Sequence, residues 1–262
     1  MGVEVSFVTV TLNSERTLEG CLKSIFNLKT KRSFEVLVVD GGSTDRTVEI
    51  AKRYKTRVFI DKKRTRGACR NTGVRNARGE MIAFVDSDCM PEENWLDLIV
   101  KHLDDKTAGV GGKSIPDTPT QVGPIIRDGQ VENIPTNNSV YWRHVIEEVG
   151  YFDEKMEAED MDLNWRIIDR SYHLAYAPEA VVTHLERPNM HRFIRIYGIG
   201  AAQLAKKPYA RPWVKRNFRL APIALIGFPA LLFYYLMKGE PRVGVRKFFI
   251  AYGMVKGRFS SE

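Results

Sequence analysis

Two short acidic stretches hold the residues best suited to chemistry in this chain. Asp86-Ser87-Asp88 follows the apolar run Met81–Val85, and Glu157, Glu159, Asp160 and Asp162 crowd together well downstream. Side chains of a strand alternate with period two, so Asp86 and Asp88 share one side if strand geometry persists through Ser87. Hard oxygen ligands so placed suit Mg²⁺ or Mn²⁺, which would bridge a donor's phosphates and neutralise a departing diphosphate. A carboxylate elsewhere can take the proton of an attacking hydroxyl only if it is ionised and still basic. In the downstream cluster, mutual repulsion raises carboxyl pKa values while a helix N-terminus lowers them. Spacing does not resolve that conflict, and an acid cluster that merely favours a helix dipole is the plain alternative. Together the two stretches point to group transfer from a nucleotide-activated donor.

Other candidates flank them. Asp40 closes the run Phe34–Val39 and would either accept the imide N–H of a uracil-like base or support a turn through Gly41-Gly42. Arg66 and Arg70 stand at i, i+4 after Lys62, Lys63 and Arg64, reading as a diphosphate or base contact, or as a solvated basic face. His184 follows Val181-Val182-Thr183 as a third metal ligand, a phosphate contact or a structural histidine.

These residues need elements to hold them. Val3–Thr11 reads as a strand, Asn13 and Ser14 as caps for an amphipathic Leu18–Leu28 helix, and Ser43 or Thr44 as the cap of a helix through Arg53. Arg57–Ile60 and Met81–Val85 read as strands and Gly67–Ala77 as a helix, with Pro91 at the first turn of another that continues through Trp95–Leu103. Strands separated by helices predict a parallel sheet with ligands beyond its carboxyl ends, where Asp40, Asp86 and Asp88 converge. Residues 110–133, rich in Gly, Pro and Asp, read as a long loop. Tyr141–Val149 and Met161–Asp169 read as helices, and His173–Tyr176 and Ala180–Thr183 as two short strands.

The ordered series Val8–Asn13, Val38–Asp45, Gly67–Gly73 and Phe84–Asp88 resembles a family 2 glycosyltransferase. Asn137–Val140 with Arg143, Val149–Glu154 and Glu159–Leu163 match that family's later blocks, so the likeness covers about residues 3–206. The resemblance implies a GT-A (nucleotide-diphospho-sugar transferase) fold, a mixed and mostly parallel sheet flanked by helices. It also implies transfer from a nucleotide-diphospho-sugar with inversion at the anomeric carbon. Carried over, Asp40 contacts the base, Arg70 the nucleotide, Asp86 the ribose or metal and Asp88 the metal, and Asp160 is the catalytic base. Thr9 and Asn13 join the donor-nucleotide set, His184 the metal set, and Asn138, Glu159 and Trp142 are candidates for the sugar or acceptor. Gly41 stands where many members carry a second Asp, and the Gln-x-x-Arg-Trp block of processive members is missing, which implies single-sugar transfer. The alternatives are a sugar-phosphate nucleotidyltransferase and a non-catalytic membrane scaffold. The first would want a Gly-rich phosphate loop after the first strand, which Leu12-Asn13-Ser14-Glu15 is not.

Charge divides the chain. Residues 187–262 hold 15 Lys+Arg against 2 acids, whereas residues 1–186 hold 25 against 30, so the net +8 belongs to the tail. This predicts a catalytic domain over 1–186 and a basic, apolar helical appendage over 187–262 that meets an anionic surface. Leu220–Met237 is 18 uncharged residues long, roughly 27 Å as a helix against a hydrocarbon core of about 30 Å. Pro222 and Pro229 are expected to kink or break it, and basic residues flank both ends. That favours a monotopic or re-entrant element led by Phe193, Tyr197 and Leu204, on the cytoplasmic face of the cell membrane, over a single pass. So continuous an apolar stretch excludes a nucleic-acid partner and suits a glycan or lipid-linked acceptor. Cys21, Cys69 and Cys89 lack metal-site spacing and fit a reducing compartment, and with no signal region ahead of the first strand we expect no secretion.

Overall fold

The computed structural model describes residues 2–115, 123–185, 198–226 and 250–256. The chain forms two compact units: residues 1–155 with 159–186, and residues 156–158 with 187–262.

The first unit is built on an eight-stranded sheet in the order β3-β2-β1-β4-β9-β6-β10-β5. Its parallel half is β3 (Thr56–Ile60), β2 (Phe34–Asp40), β1 (Val5–Thr11) and β4 (Met81–Val85). Every residue of β4, and all of β1 but Val10, is buried, because helices cover both faces of a parallel sheet. One face packs Phe7, Val36 and Val38 against Leu18, Leu22 and Ile25 of α1 (Leu18–Phe26), Ile50 of α2 (Thr47–Lys52) and Trp95 of α4 (Trp95–Val100). The other packs Val8, Ile82 and Phe84 against α3 (Arg66–Asn76), α5 (Arg143–Glu148) and α6 (Glu159–Asp169). The in-register pair Thr11↔Asp40 brings the carboxyl ends of β1 and β2 to the rim where β4 also ends.

The antiparallel half departs from the sequence expectations. Residues 110–133 are not one long loop: β6 (Thr107–Ile115) lies within the sheet, and β7 (Ile125–Arg127) and β8 (Gln130–Asn133) form a hairpin. The glycines of β6 mark close packing. A Cβ on Gly109 would lie 2.6 Å from the Tyr141 ring, one on Gly111 2.8 Å from Ile134, and one on Gly112 2.2 Å from the Ala180 carbonyl. Tyr141 and Trp142 belong to β9 (Asn138–Trp142), not to the helix that follows. The two short strands predicted around residue 180 are one, β10 (His173–His184), with an irregularity between Ala177 and Val181. Pro91 does not open a helix. It ends β5 (Cys89–Pro91) at the sheet edge, a position that tolerates a residue without an N–H. The proposed caps also fail: α1 and α2 begin at Thr17 and Arg46 without a side-chain cap bond, because Asn13, Ser14 and Ser43 are used in tying loops together.

In the second unit, α7 (Ala201–Ala205), α8 (Pro212–Ile226) and a helical segment at 250–256 enclose Ala202, Ala221, Ala251 and Met254. A Cβ on Gly198 would lie 2.4 Å from Gly253 Cα, so these backbones meet directly. The Glu157 amide donates to Gln203 Oε1 at 3.0 Å. Pro222 sits inside α8, which continues through it to Ile226, so of the expected kink or break the break does not occur. Pro229, Phe193, Tyr197 and most of Leu220–Met237 lie outside the described residues. Among the described residues, no helix is long and apolar enough to cross a membrane.

Candidate active site

β4 stops at Val85, and the Asp86 carbonyl accepts the Cys89 amide at 2.9 Å, closing a tight turn. Strand alternation therefore does not continue through Ser87, and the two aspartates take different partners. Asp86 Oδ1 lies 3.3 Å from an Arg70 amino group. Asp88 Oδ2 lies 3.0 Å from His184 Nε2. The antiparallel pairing of β10 with β5 sets His184 opposite Cys89 and so brings it to the turn. The Ser87 hydroxyl, 2.9 Å from that of Ser14, ties this turn to the β1–α1 loop.

Among the described residues, Asp88, Cys89 and His184 form one group whose ligand atoms lie within 4.8 Å of one another. Burial, reinforced by the charges of Asp86 and Asp88, pushes the Cys89 thiol well up. Hard cations such as Mg²⁺ and Mn²⁺ prefer oxygen and nitrogen donors to sulfur, which points to Asp88 and His184. This carboxylate and imidazole would hold a divalent cation, which would supply charge neutralisation for a diphosphate.

The nucleotide side is corrected at several positions. Thr9 is fully buried in β1. Asp40, also fully buried, accepts bonds from the Thr11 hydroxyl (2.9 Å), the Gly42 amide (2.9 Å), the Ser43 amide (2.7 Å) and the Ser43 hydroxyl. Its carboxylate thus organises the turn, the second of the readings the sequence left open. Asn13 does lie on the rim, in a left-handed conformation (φ 52°), with Oδ1 accepting the Thr44 amide at 2.9 Å. Arg70 is only 2% exposed and commits its amino groups to Glu159 and Asp86, so it braces the site where a nucleotide contact was expected. Arg64, unassigned from sequence, donates to the Gly41 carbonyl at 3.1 Å and is the basic side chain that borders this turn. Its φ of 61° aims it there, which its place in a run of cations does not reveal.

Two sugar or acceptor candidates also fall away. Asn138 is buried, accepting the Trp95 indole N–H at 2.7 Å and donating to the Lys113 carbonyl at 3.0 Å. Its neighbour Asn137, in the turn before β9, approaches Ser114 and Cys89 beside the Asp88 turn. Trp142 pairs with Met81, the first residue of β4, and so stands at the opposite end of the sheet from Asp86.

The acids opening α6 separate into distinct roles. Glu159, 2% exposed, is held by Arg70 and, at 3.2 Å, by Arg66, so it too is internal and not a sugar contact. Asp162 pairs with Arg166 at 2.7 Å. Asp160 is half-buried and, among the described residues, accepts the Met161 amide, at 2.7 Å. Its carboxyl is pushed up to about 6, by burial first and the Glu159 charge second, against the opposing pull of Arg70 and Arg66. Burial and repulsion therefore outweigh the two arginines and the Met161 amide, leaving a carboxylate ionised yet basic near neutrality.

Residues 6–170 match the model of Glycosyl transferase family 2. The chain belongs to that family. This glycosyltransferase is 28% identical over 261 residues to Glycosyltransferase AglE of Haloferax volcanii, covering 92% of this chain and 86% of that protein. It is 24% identical over 270 residues to a Methanococcus voltae enzyme, dolichyl N-acetyl-alpha-D-glucosaminyl phosphate 3-beta-D-2,3-diacetamido-2,3-dideoxy-beta-D-glucuronosyltransferase, covering 89% of this chain and 84% of that one. Its fold resembles that of the mannosyltransferase PcManGT from Pyrobaculum calidifontis, solved with GDP-Man and Mn²⁺. The TM-score is 0.74 at 18% identity, over 99% of this chain and 88% of that one. The fold is thus GT-A, and the enzyme transfers a sugar from a nucleotide sugar. Membership sets aside the nucleotidyltransferase and scaffold alternatives.

Proposed function

We propose that this glycosyltransferase inverts the anomeric centre, moving one sugar from a nucleotide-diphospho-sugar to a hydroxyl of a lipid-linked or other membrane-presented glycan. Asp160 carries the reading: of the three acids in the first turn of α6, Glu159 and Asp162 are each ion-paired with arginine, whereas Asp160 accepts the Met161 amide and is basic near neutrality. It takes the acceptor's proton as the hydroxyl attacks opposite the leaving diphosphate. A divalent cation (Mg²⁺ or Mn²⁺) on Asp88 and His184 would supply charge neutralisation for that diphosphate. Asp86, braced by Arg70, borders the ribose side. Inversion predicts that NMR of the product shows the new linkage with the anomeric configuration opposite to the donor's; retained configuration would overturn the mechanism.

We assign the acceptor class from the tail and the relatives. Residues 198–226 contain Lys206, Lys207, Arg211, Lys215, Arg216 and Arg219 and no acid. The name of the Methanococcus enzyme contains a dolichyl phosphate sugar. A cationic segment next to an apolar one suits the anionic cytoplasmic face of the cell membrane. The full chain is then expected to float with vesicles containing phosphatidylglycerol and to be released by high salt. Equal flotation with purely zwitterionic vesicles would remove the electrostatic part of this proposal.

A further inference from the structure

Glu159 lies next to the base in sequence and has no place in the proton transfer itself, yet it is among the most thoroughly held acids of the molecule. Arg70 binds one carboxylate oxygen and Arg66 the other, at 3.2 Å, and the second amino group of Arg70 lies 3.3 Å from Asp86. Arg70 also lies over the Phe152 ring at 5.8 Å, and its buried Nε has no hydrogen-bond partner among the described residues. α3 sits close enough for this because Gly67 lacks a side chain: a Cβ there would be 2.7 Å from the Asp153 carbonyl. A buried arginine that leaves one N–H unsatisfied to bridge two acids is a costly arrangement if it only stabilises the fold.

We propose that Glu159 is a positioning residue for sugar transfer: gripped by Arg66 and Arg70, it anchors the first turn of α6, and with it Asp160, to the Asp86 rim. This rests on Asp160 being the base. Among the described residues, the charged and titratable groups around Asp160 are Arg66 and Arg70 from α3, the Tyr141 hydroxyl from β9, Asp86 beyond Arg70, and Glu159 and Asp162 on its own helix. Glu159 and the two arginines act on Asp160 in opposite directions, so their removal must have opposite signatures.

The test is the pH profile of kcat for the full chain with Glu159→Gln and, separately, Arg66→Gln. Arg66 is about one-third exposed, so its variant folds even if the buried substitution does not. Glu159→Gln is expected to lower kcat about 10-fold, by misplacing the base, and to move the acid limb down by about half a pH unit or more. Arg66→Gln is expected to move the limb up. Donor affinity, read by thermal shift with nucleotide sugar and Mn²⁺, stays near wild type in both. Limbs that stay at the wild-type pH, with lost activity explained by unfolded protein, would overturn the positioning role. Asp160→Asn separates the layers: if it is inactive while both limbs stay fixed, only the Glu159 proposal fails, and if it is active the base assignment fails with it.

Discussion

Asp160→Asn is expected to reduce transfer by about 10²–10⁴-fold, the range a lost general base costs, while leaving nucleotide-sugar binding intact and raising the melting temperature at pH 7. The two effects share one cause. In the folded protein the Asp160 carboxyl titrates at about 6, against an ordinary value of 3.8. The folded state therefore holds this proton more tightly than the unfolded chain does. Stability from this group is fully present below about pH 4, is lost as pH rises to about 6, and stays lower above that. Asn carries no charge, so the variant gains a few degrees over wild type at pH 7 and nothing at pH 4. Turnover in the wild type moves the opposite way, rising with pH through about 6 as the base ionises. Melting curves without metal or donor across this range, together with single-turnover rates, check both halves. Full activity in the variant would transfer the role to another carboxylate.

Asp88→Ala should remove metal-dependent donor binding. In wild type, a nucleotide sugar with its cation at about 100 times Kd stabilises by roughly 2.7 kcal/mol. For a chain of this size that amounts to roughly 5–10 °C in Tm. Among the described residues, Asp88 shares its group with His184 and Cys89, and a hard cation prefers a carboxylate oxygen to a thiol, so that group holds no equivalent of the lost carboxylate. The donor-plus-metal shift is then expected to vanish. His184→Ala keeps the carboxylate and loses the imidazole, so it should weaken binding by about 10–100-fold. The Asp88 side chain is 10% exposed at the rim, so its removal leaves the apolar core intact. An undiminished metal-dependent shift in Asp88→Ala would place the cation on other ligands.

Much of this enzyme was legible along the chain. The strands Val5–Thr11, Phe34–Asp40 and Met81–Val85 announce themselves as apolar, β-branched runs, because a strand covered on both faces has no polar side to interrupt it. Parallel connection then sends their ends to one rim, which is why Asp86 and Asp88 were nameable in advance, whereas Asp160 was singled out only by the family resemblance. Partnership was not. Whether Asp160 or Glu159 is the free acid depends on which of them faces Arg66 and Arg70, more than eighty residues earlier. His184 reaches Asp88 through a strand pairing that neither segment encodes alone. The glycines of β6 read as a loop because what they make room for, Tyr141, Ile134 and Ala180, comes from other strands. Thr9 and Asn138 are buried and Trp142 stands at the far end of the sheet for a related reason. Local pattern sets the period of a strand, but which face is buried and which end meets the ligand follow from the neighbours it pairs with. Residue types and short-range periodicity thus determine the elements and their chemical inventory, while burial, charge pairing and the resulting basicity of one carboxylate arise only when distant segments pack together.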